Sequence, residues 1–116
     1  MNGLELILKE RQEQIDKHGF SLEQDKYYSN GELILAAKFA ELCTGRGIGC
    51  TDISVEARWP IGWNHYFRRK LLTKTKIQAL TVAGAFYMAE NERLGSNKYQ
   101  ENIDKVIKEI NHLLNN

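Results

Sequence analysis

Residues 73–94 read Thr-Lys-Thr-Lys-Ile-Gln-Ala-Leu-Thr-Val-Ala-Gly-Ala-Phe-Tyr-Met-Ala-Glu-Asn-Glu-Arg-Leu, and they decide the fold class. The stretch predicts a helix from near Thr73 to Arg93. Small side chains run along its middle: Ala79, Ala83, Gly84, Ala85 and Ala89. Small side chains let helix axes approach closely, and a glycine inside a helix costs about 1 kcal/mol relative to alanine unless the space is used. We therefore predict a long, tightly packed helix, with Gly84 facing another helix or a ligand.

A first helix is predicted over about residues 3–17, ending before Gly19, which suits a C-terminal cap. Its apolar side chains recur at helical spacing and form one stripe: Leu4, Ile7, Leu8 and Ile15. Arg11 falls inside this stripe, where a guanidinium has to find a carboxylate, a carbonyl or an anionic ligand. A structural pairing with Glu41 or Glu90 is the expected outcome.

The second helix is predicted to begin at Ser29, because Ser29 and Glu32 have the spacing of a capping box. It continues to Leu42, and only Lys38 and Glu41 interrupt its apolar surface. We therefore expect this helix to be central.

A fourth helix is predicted after Ser96, a candidate N-cap, and is expected to serve packing or oligomerisation. Its apolar stripe is regular: Ile103, Val106, Ile107, Ile110, Leu113 and Leu114. Strand-like alternation never extends beyond a few residues. The chain is therefore predicted to be an all-α, single-domain helical bundle over residues 1–116, with about four main helices and a long aromatic, partly irregular connection between the second and third.

Composition limits the class of protein. The chain has 116 residues, 42% hydrophobic and 27% charged, which is enough for one compact domain and too few for two ordinary ones. With 16 basic and 15 acidic residues, the formal charge is +1, so no overall field directs the protein to nucleic acid or to an anionic membrane. Without a membrane-length apolar run or a signal-peptide pattern, we predict a cytoplasmic protein. Cys43 and Cys50 lack zinc-site spacing and are predicted to be reduced thiols.

The connection between the second and third helices, about thirty residues long, carries the strongest sign of a ligand. Its residues 58–70 contain both tryptophans of the chain and four cationic side chains. Flat aromatic faces stack on bases, and guanidinium forks bind phosphate with two hydrogen bonds. In an alternative reading, the tryptophans fill the core or form a protein interface. The predicted ligand-binding residues are Arg11, Arg58, Trp59, Trp63, Arg68, Arg69 and Lys70.

Six glutamates are candidates for chemistry, and most have a plainer explanation. Glu10 and Glu13, three residues apart on one helix, offer hard oxygen ligands for magnesium or simply belong to a solvated helix face, with Glu13 paired to Lys17. Glu32 is either functional or a helix cap. Glu41 lies about 13 Å further along the same helix, too far away to share one ion with it. Glu90 and Glu92 are expected to be surface charges at a helix end, with a metal-binding role for Glu90 as the alternative.

Several short motifs occur in order between residues 10 and 94. They are Glu10-Arg11-Gln12-x-Gln14, Gly19, Glu23-x-Asp25, Gly31-Glu32-Leu33 with Ala36-Ala37, Trp59-Pro60 with Trp63, and Ala83-Gly84-Ala85 followed by Ala89-Glu90-x-Glu92-Arg93-Leu94. As an ordered set they resemble a family of short phage and prophage proteins, which is similar in turn to the MazG-like all-α nucleoside triphosphate pyrophosphohydrolases. The resemblance implies a helical bundle, commonly dimeric, in the cytoplasm of a host cell.

In MazG-like enzymes, Glu-Glu-x-x-Glu on one helix and Glu-x-x-Asp on another hold magnesium against a triphosphate, where the metal polarises the phosphates and orients water. Here Glu32 matches one acid of the first motif, whereas Leu33, Ala36 and Lys38 leave the remainder unfilled. The third helix reads Lys-Ile-Gln-Ala over residues 76–79, where the second motif would fall. The resemblance therefore implies the fold and the ligand class more strongly than it implies hydrolysis.

Three functions remain open. A divergent enzyme would release pyrophosphate from a nucleoside triphosphate, with Glu32 and Glu41 as catalytic residues and Mg²⁺ held by Glu10, Glu32 and Glu90. A binding protein would sequester a nucleotide or a nucleotide-derived signal by stacking and phosphate contacts, without metal or turnover. A protein-interaction accessory factor would use the aromatic segment as an interface. In each case we expect a homo-oligomer.

Overall fold

Residues 79–90 are buried almost without a break, and the other helices pack around them. The computed structural model describes residues 1–18, 31–43, 60, 70–71 and 73–115. Four helices are defined within these ranges: α1 Gly3–His18, α2 Glu32–Cys43, α3 Lys76–Leu94 and α4 Gln100–Leu114. The described residues contain no strand, and the prediction of an all-α helical bundle is confirmed.

The central helix is α3, because it packs against α1, α2 and α4. Its small residues bring the neighbouring helices close. A methyl group added at Gly84 would lie 2.5 Å from Cδ1 and 2.8 Å from Cγ1 of Ile7 on α1. The prediction that Gly84 faces another helix or a ligand is therefore confirmed, and the neighbour is α1.

Both ends of α3 are capped by the sequence around them. Thr75 is the N-cap, because its Oγ1 accepts a hydrogen bond from Gln78 N at 3.2 Å while its own N–H donates to Gln78 Oε1 at 3.0 Å. The helix therefore begins at Lys76 rather than near Thr73. At the other end Gly95 has φ 63°, the left-handed conformation that terminates many helices.

The buried face of α1 differs from the predicted apolar stripe. Leu4 and Leu8 remain 42% and 52% exposed, whereas Ile7, Arg11 and Gln14 are buried. These three residues follow one another at intervals of four and three, which places them on one side of the helix. Ile7 packs closely against Gly84 of α3. Because of this contact, the side of α1 that carries Ile7 faces inward, although it also carries the polar residues Arg11 and Gln14.

α2 begins at Glu32 and not at a Ser29 cap. Gly31 has φ 80°, which is outside the helical region, so the helix cannot run through this residue. The predicted capping box of Ser29 and Glu32 is therefore wrong, while Ser29 itself lies outside the described residues. Five of its side chains are buried: Leu33, Ala36, Ala37, Phe39 and Ala40. Among the described helices, however, α2 packs extensively only against α3, so the expectation that the second helix is the central one is wrong.

α4 begins later than a Ser96 cap would allow. The N-cap position is held by Tyr99, whose side chain makes no capping hydrogen bond. The helix runs against α3 and also contacts α1, where Asn111 Oδ1 accepts a hydrogen bond from Gly3 N at 2.7 Å. Three members of the predicted stripe are buried: Ile103, Val106 and Ile110.

The Cα radius of gyration is 13.2 Å, close to the value of about 13 Å for a compact chain near this length. None of the helices in the described ranges is long and apolar enough to cross a membrane.

Candidate functional site

Arg11 joins the C-terminal half of α1 to the end of α3. Its guanidinium is almost fully buried, and Nη2 and Nε lie 2.8 Å and 3.2 Å from Oε2 of Glu92. Two donors thus hold one carboxylate oxygen, a charge-assisted contact that is stronger than a neutral hydrogen bond. The prediction that the Arg11 guanidinium has to find a carboxylate, a carbonyl or an anionic ligand is confirmed. The carboxylate in this ion pair is Glu92, not the expected Glu41 or Glu90.

A second ion pair lies in the same last turn of α3. Glu90 is only 2% exposed and accepts a hydrogen bond from Nε of Arg93, three residues further on. The interpretation of Glu90 as a surface charge is therefore wrong, because this face of α3 is turned into the protein. Glu92, two residues along, does reach the solvent, with 45% of its side chain exposed.

We use the name polar cluster for the buried polar side chains of α1 together with the two ion pairs at the end of α3, namely Arg11, Gln14, Glu90, Glu92 and Arg93. Gln14 has no exposed surface, and neither its Oε1 nor its Nε2 has a hydrogen-bond partner in the described part of the protein. It lies three residues after Arg11 and therefore on the same side of α1. Most buried side-chain polar atoms in proteins are paired, so an amide with both ends unpaired is an exception that needs an explanation.

The charges of the polar cluster cancel. Two guanidiniums and two carboxylates are already joined in two ion pairs. The hydrogen-bonding atoms that lack partners among the described residues belong to the amide of Gln14. This amide can accept a hydrogen bond through its oxygen and donate through its nitrogen. The cluster is therefore suited to an uncharged group that presents a donor beside an acceptor, and less suited to a bare phosphate.

Tyr87 forms a second buried polar site, on the side of α3 that faces α2 and α4. Its ring stacks on Tyr99 with centroids 5.9 Å apart, and Nζ of Lys38 lies 5.7 Å from the ring centroid. Burial raises the pKa of the Tyr87 hydroxyl above its ordinary value, and the negative charge of Glu41 raises it further, whereas Asn102 acts in the opposite direction. The hydroxyl nevertheless makes no hydrogen bond of normal geometry within the described residues.

The predicted acids do not form a metal cage. Glu10, Glu32 and Glu41 are partly buried on α1 and α2, and Glu90 is engaged by Arg93. Within the described ranges, no three or more histidine, cysteine, aspartate or glutamate side chains come close enough to hold a metal ion. The described residues therefore do not fit the magnesium site that the resemblance implies.

Most of the predicted ligand wall lies outside the described residues, namely Arg58, Trp59, Trp63, Arg68 and Arg69. Lys70, a predicted member of this wall, is described and exposed, and Pro60 of the same segment is buried. The role of this segment stays a prediction.

Comparison of the chain with protein-family models, with curated proteins and with solved structures finds no match. Function therefore has to be argued from the side chains themselves.

The polar cluster was only partly visible in the sequence. Arg11 was identified from its place among apolar residues, and Glu90 was considered as a ligand. Gln14 was missed, although its position seven residues after Ile7 places both on one helix face. Tyr87 was missed because nothing in the order of residues indicates what surrounds a buried phenol.

Proposed function

We propose that the protein binds a nucleotide-type small molecule, and that the polar cluster forms one wall of the site. The observation that carries this proposal is the fully buried, unpaired amide of Gln14 beside Arg11. A buried polar group without a partner destabilises the folded state by about 1–3 kcal/mol. A ligand that supplies the missing partners would remove this cost.

Two further observations support a nucleotide as the ligand class. The ordered motifs over residues 10–94 resemble proteins related to nucleotide hydrolases. Residues 58–70 supply aromatic rings and four cations, the chemistry that holds bases and phosphates. Because the polar cluster is neutral overall, the phosphates are assigned to this basic segment. The base is assigned to the cluster.

Binding is favoured over hydrolysis. A hydrolase of the magnesium-dependent type needs several carboxylates around its metal, and the described residues do not assemble such a set. The proposal therefore is a binding protein that retains its ligand intact. On the resemblance alone, it includes a homo-oligomer in the cytoplasm of a host cell.

One incubation tests this proposal. The purified protein is mixed with ribo- and deoxyribonucleoside triphosphates, with Mg²⁺ and in a parallel sample with EDTA, and the free and protein-bound fractions are separated and analysed by chromatography. We expect intact nucleotide in the bound fraction of both samples. The variant Arg11→Met should retain at least about tenfold less, because it removes the buried guanidinium that holds the cluster together.

Lys76→Met is the matched control, because among the described residues Lys76 makes only an exposed ion pair with Glu109, at a distance of 3.6 Å. It should retain nucleotide like the wild type, and circular dichroism should show that both variants are folded. If the wild type releases pyrophosphate and Glu32→Gln does not, the protein is an enzyme and not a binding protein. A folded wild type that retains no nucleotide and releases no product would overturn the proposal.

A further inference from the structure

We infer that the Gln14 amide reads the edge of the nucleobase, by accepting one hydrogen bond and donating another to an adjacent donor and acceptor. This inference rests on the proposed function and names the group in the site that recognises the ligand. It assigns to the polar cluster a specificity for the base rather than for the phosphate or the sugar.

The chemistry of the cluster leaves few other recognition groups. The guanidinium of Arg11 is held by Glu92, and that of Arg93 is held by Glu90. A phosphate arriving at Arg11 would have to compete with the carboxylate of Glu92. Gln14 is the member whose polar atoms are all unpaired among the described residues.

An amide matches a base edge in geometry as well as in capacity. Its oxygen and nitrogen point in nearly the same direction, so both can contact neighbouring atoms of one planar ring system. Bidentate pairing of glutamine with a base is a known mode of sequence readout in nucleic acids, where each such pair contributes discrimination of about 1–3 kcal/mol. Each common base presents a donor next to an acceptor on its pairing edge, and the positions of the two groups differ between bases, so the contact requires a base and discriminates among bases.

A purely structural explanation makes the opposite prediction for stability. If buried water molecules satisfy Gln14, the site needs two to four polar partners for each water, and removing the amide disrupts that network. If the amide is instead unpaired until a ligand binds, replacing it with an apolar side chain of similar shape removes an unpaired polar group and stabilises the ligand-free protein. The sign of the stability change therefore separates the two explanations.

The variant Gln14→Met tests the inference, because methionine keeps the length of the side chain and removes both hydrogen-bonding functions. Thermal unfolding of the free protein is measured first, and then titration calorimetry with ATP, GTP, CTP and UTP. Ribose 5-phosphate serves as the probe without a base. The same change on the same helix, Gln12→Met, is the control, since Gln12 is exposed and, in the part of the chain that the structure describes, its side chain bonds only to Asp16.

We expect Gln14→Met to unfold at a higher temperature than the wild type and to bind its preferred nucleotide about 10- to 100-fold more weakly. Its preference among the four bases should become smaller, and its affinity for ribose 5-phosphate should not change. Gln12→Met should behave like the wild type in every titration.

Two results would overturn the inference. If the wild type binds nucleotides and Gln14→Met binds them equally well, with the same preference among bases, the inference fails and the proposed function stands. If Gln14→Met is folded but less stable than the wild type, while its base preference is unchanged, the amide is structural. A wild type that binds none of the four nucleotides removes both the inference and the proposed function.

Discussion

Three polar residues, Arg11, Gln14 and Glu90, occupy positions that would ordinarily hold apolar side chains. All are at most 4% exposed. Arg11 and Glu90 have oppositely charged partners, which offset much of the cost of removing a charge from water. Gln14 has no such partner in the described structure.

Tyr87 predicts a dependence of stability on pH. Because burial and Glu41 raise the pKa of its hydroxyl above 10.0 in the folded protein, the phenol ionises more readily in the unfolded chain. Stability is therefore fully present below about pH 10 and is lost as the pH rises above it, by about 1.4 kcal/mol at pH 11 for this one group. Tyr87→Phe should lack this loss.

The measurement is urea unfolding of the wild type and of Tyr87→Phe at pH 8 and pH 11. At pH 8 the variant should be as stable as the wild type or more stable by up to about 1 kcal/mol, because it removes an unpaired buried hydroxyl. At pH 11 the free energy of unfolding of Tyr87→Phe should exceed that of the wild type by a larger amount than at pH 8. A difference that stays constant across this range would contradict the environment described for Tyr87.

At the scale of the helices, the contact between α1 and α3 depends on the missing side chain at Gly84. Gly84→Ala improves helix propensity by about 1 kcal/mol. It also places a methyl group 2.5 Å from Ile7 Cδ1, which has to move within a packed interior. Overpacking of this kind costs about 1–3 kcal/mol, so we expect a net loss of stability in chemical denaturation.

A double-mutant cycle identifies the cause of that loss. Ile7→Val removes Cδ1, the closest atom, so Gly84→Ala with Ile7→Val should lose less stability than the sum of the two single variants. Gly95→Ala is the control, because no atom lies within 4 Å of the added methyl group and its cost comes only from the left-handed backbone, about 1–2 kcal/mol. Its effect should be independent of Ile7. Strict additivity for Gly84 and Ile7 would mean that this contact does not limit the approach of α1.

For the molecule as a whole, α4 should be part of one cooperative unit, because it closes the core over both α3 and α1. Ile110 is fully buried on this helix, whereas Leu114 is 43% exposed. Ile110→Ala should lower the free energy of unfolding by about 2–5 kcal/mol, and Leu114→Ala should change it by no more than about 0.5 kcal/mol.

Unfolding followed both by circular dichroism and by tryptophan fluorescence checks this expectation, since a single cooperative unit gives coincident transitions. Equal effects of the two substitutions, or transitions that separate in Ile110→Ala, would show that α4 is only loosely attached to the rest of the bundle.

The sequence predicted only those parts of the candidate site that follow from the position of a single residue. A guanidinium on an apolar stripe has to be paired, so the burial and pairing of Arg11 followed from its position. Its partner did not follow, because 81 residues separate Arg11 from Glu92. Glu90 was expected at the surface, since the end of a helix is usually exposed. Only the packing of α3 shows that this face is turned inward.

The sequence by itself determined the four described helices, the all-α class and the expectation that Gly84 faces another helix or a ligand. These properties depend on the spacing of apolar residues and on side-chain size, both of which can be seen in short stretches of the sequence. The tertiary structure alone decided which side of α1 is buried, where α2 begins, and that the Gln14 amide and the Tyr87 hydroxyl make no hydrogen bond within the described residues. These properties depend on contacts between helices that are distant in sequence, and such contacts decide whether each polar atom is paired, covered or exposed to water.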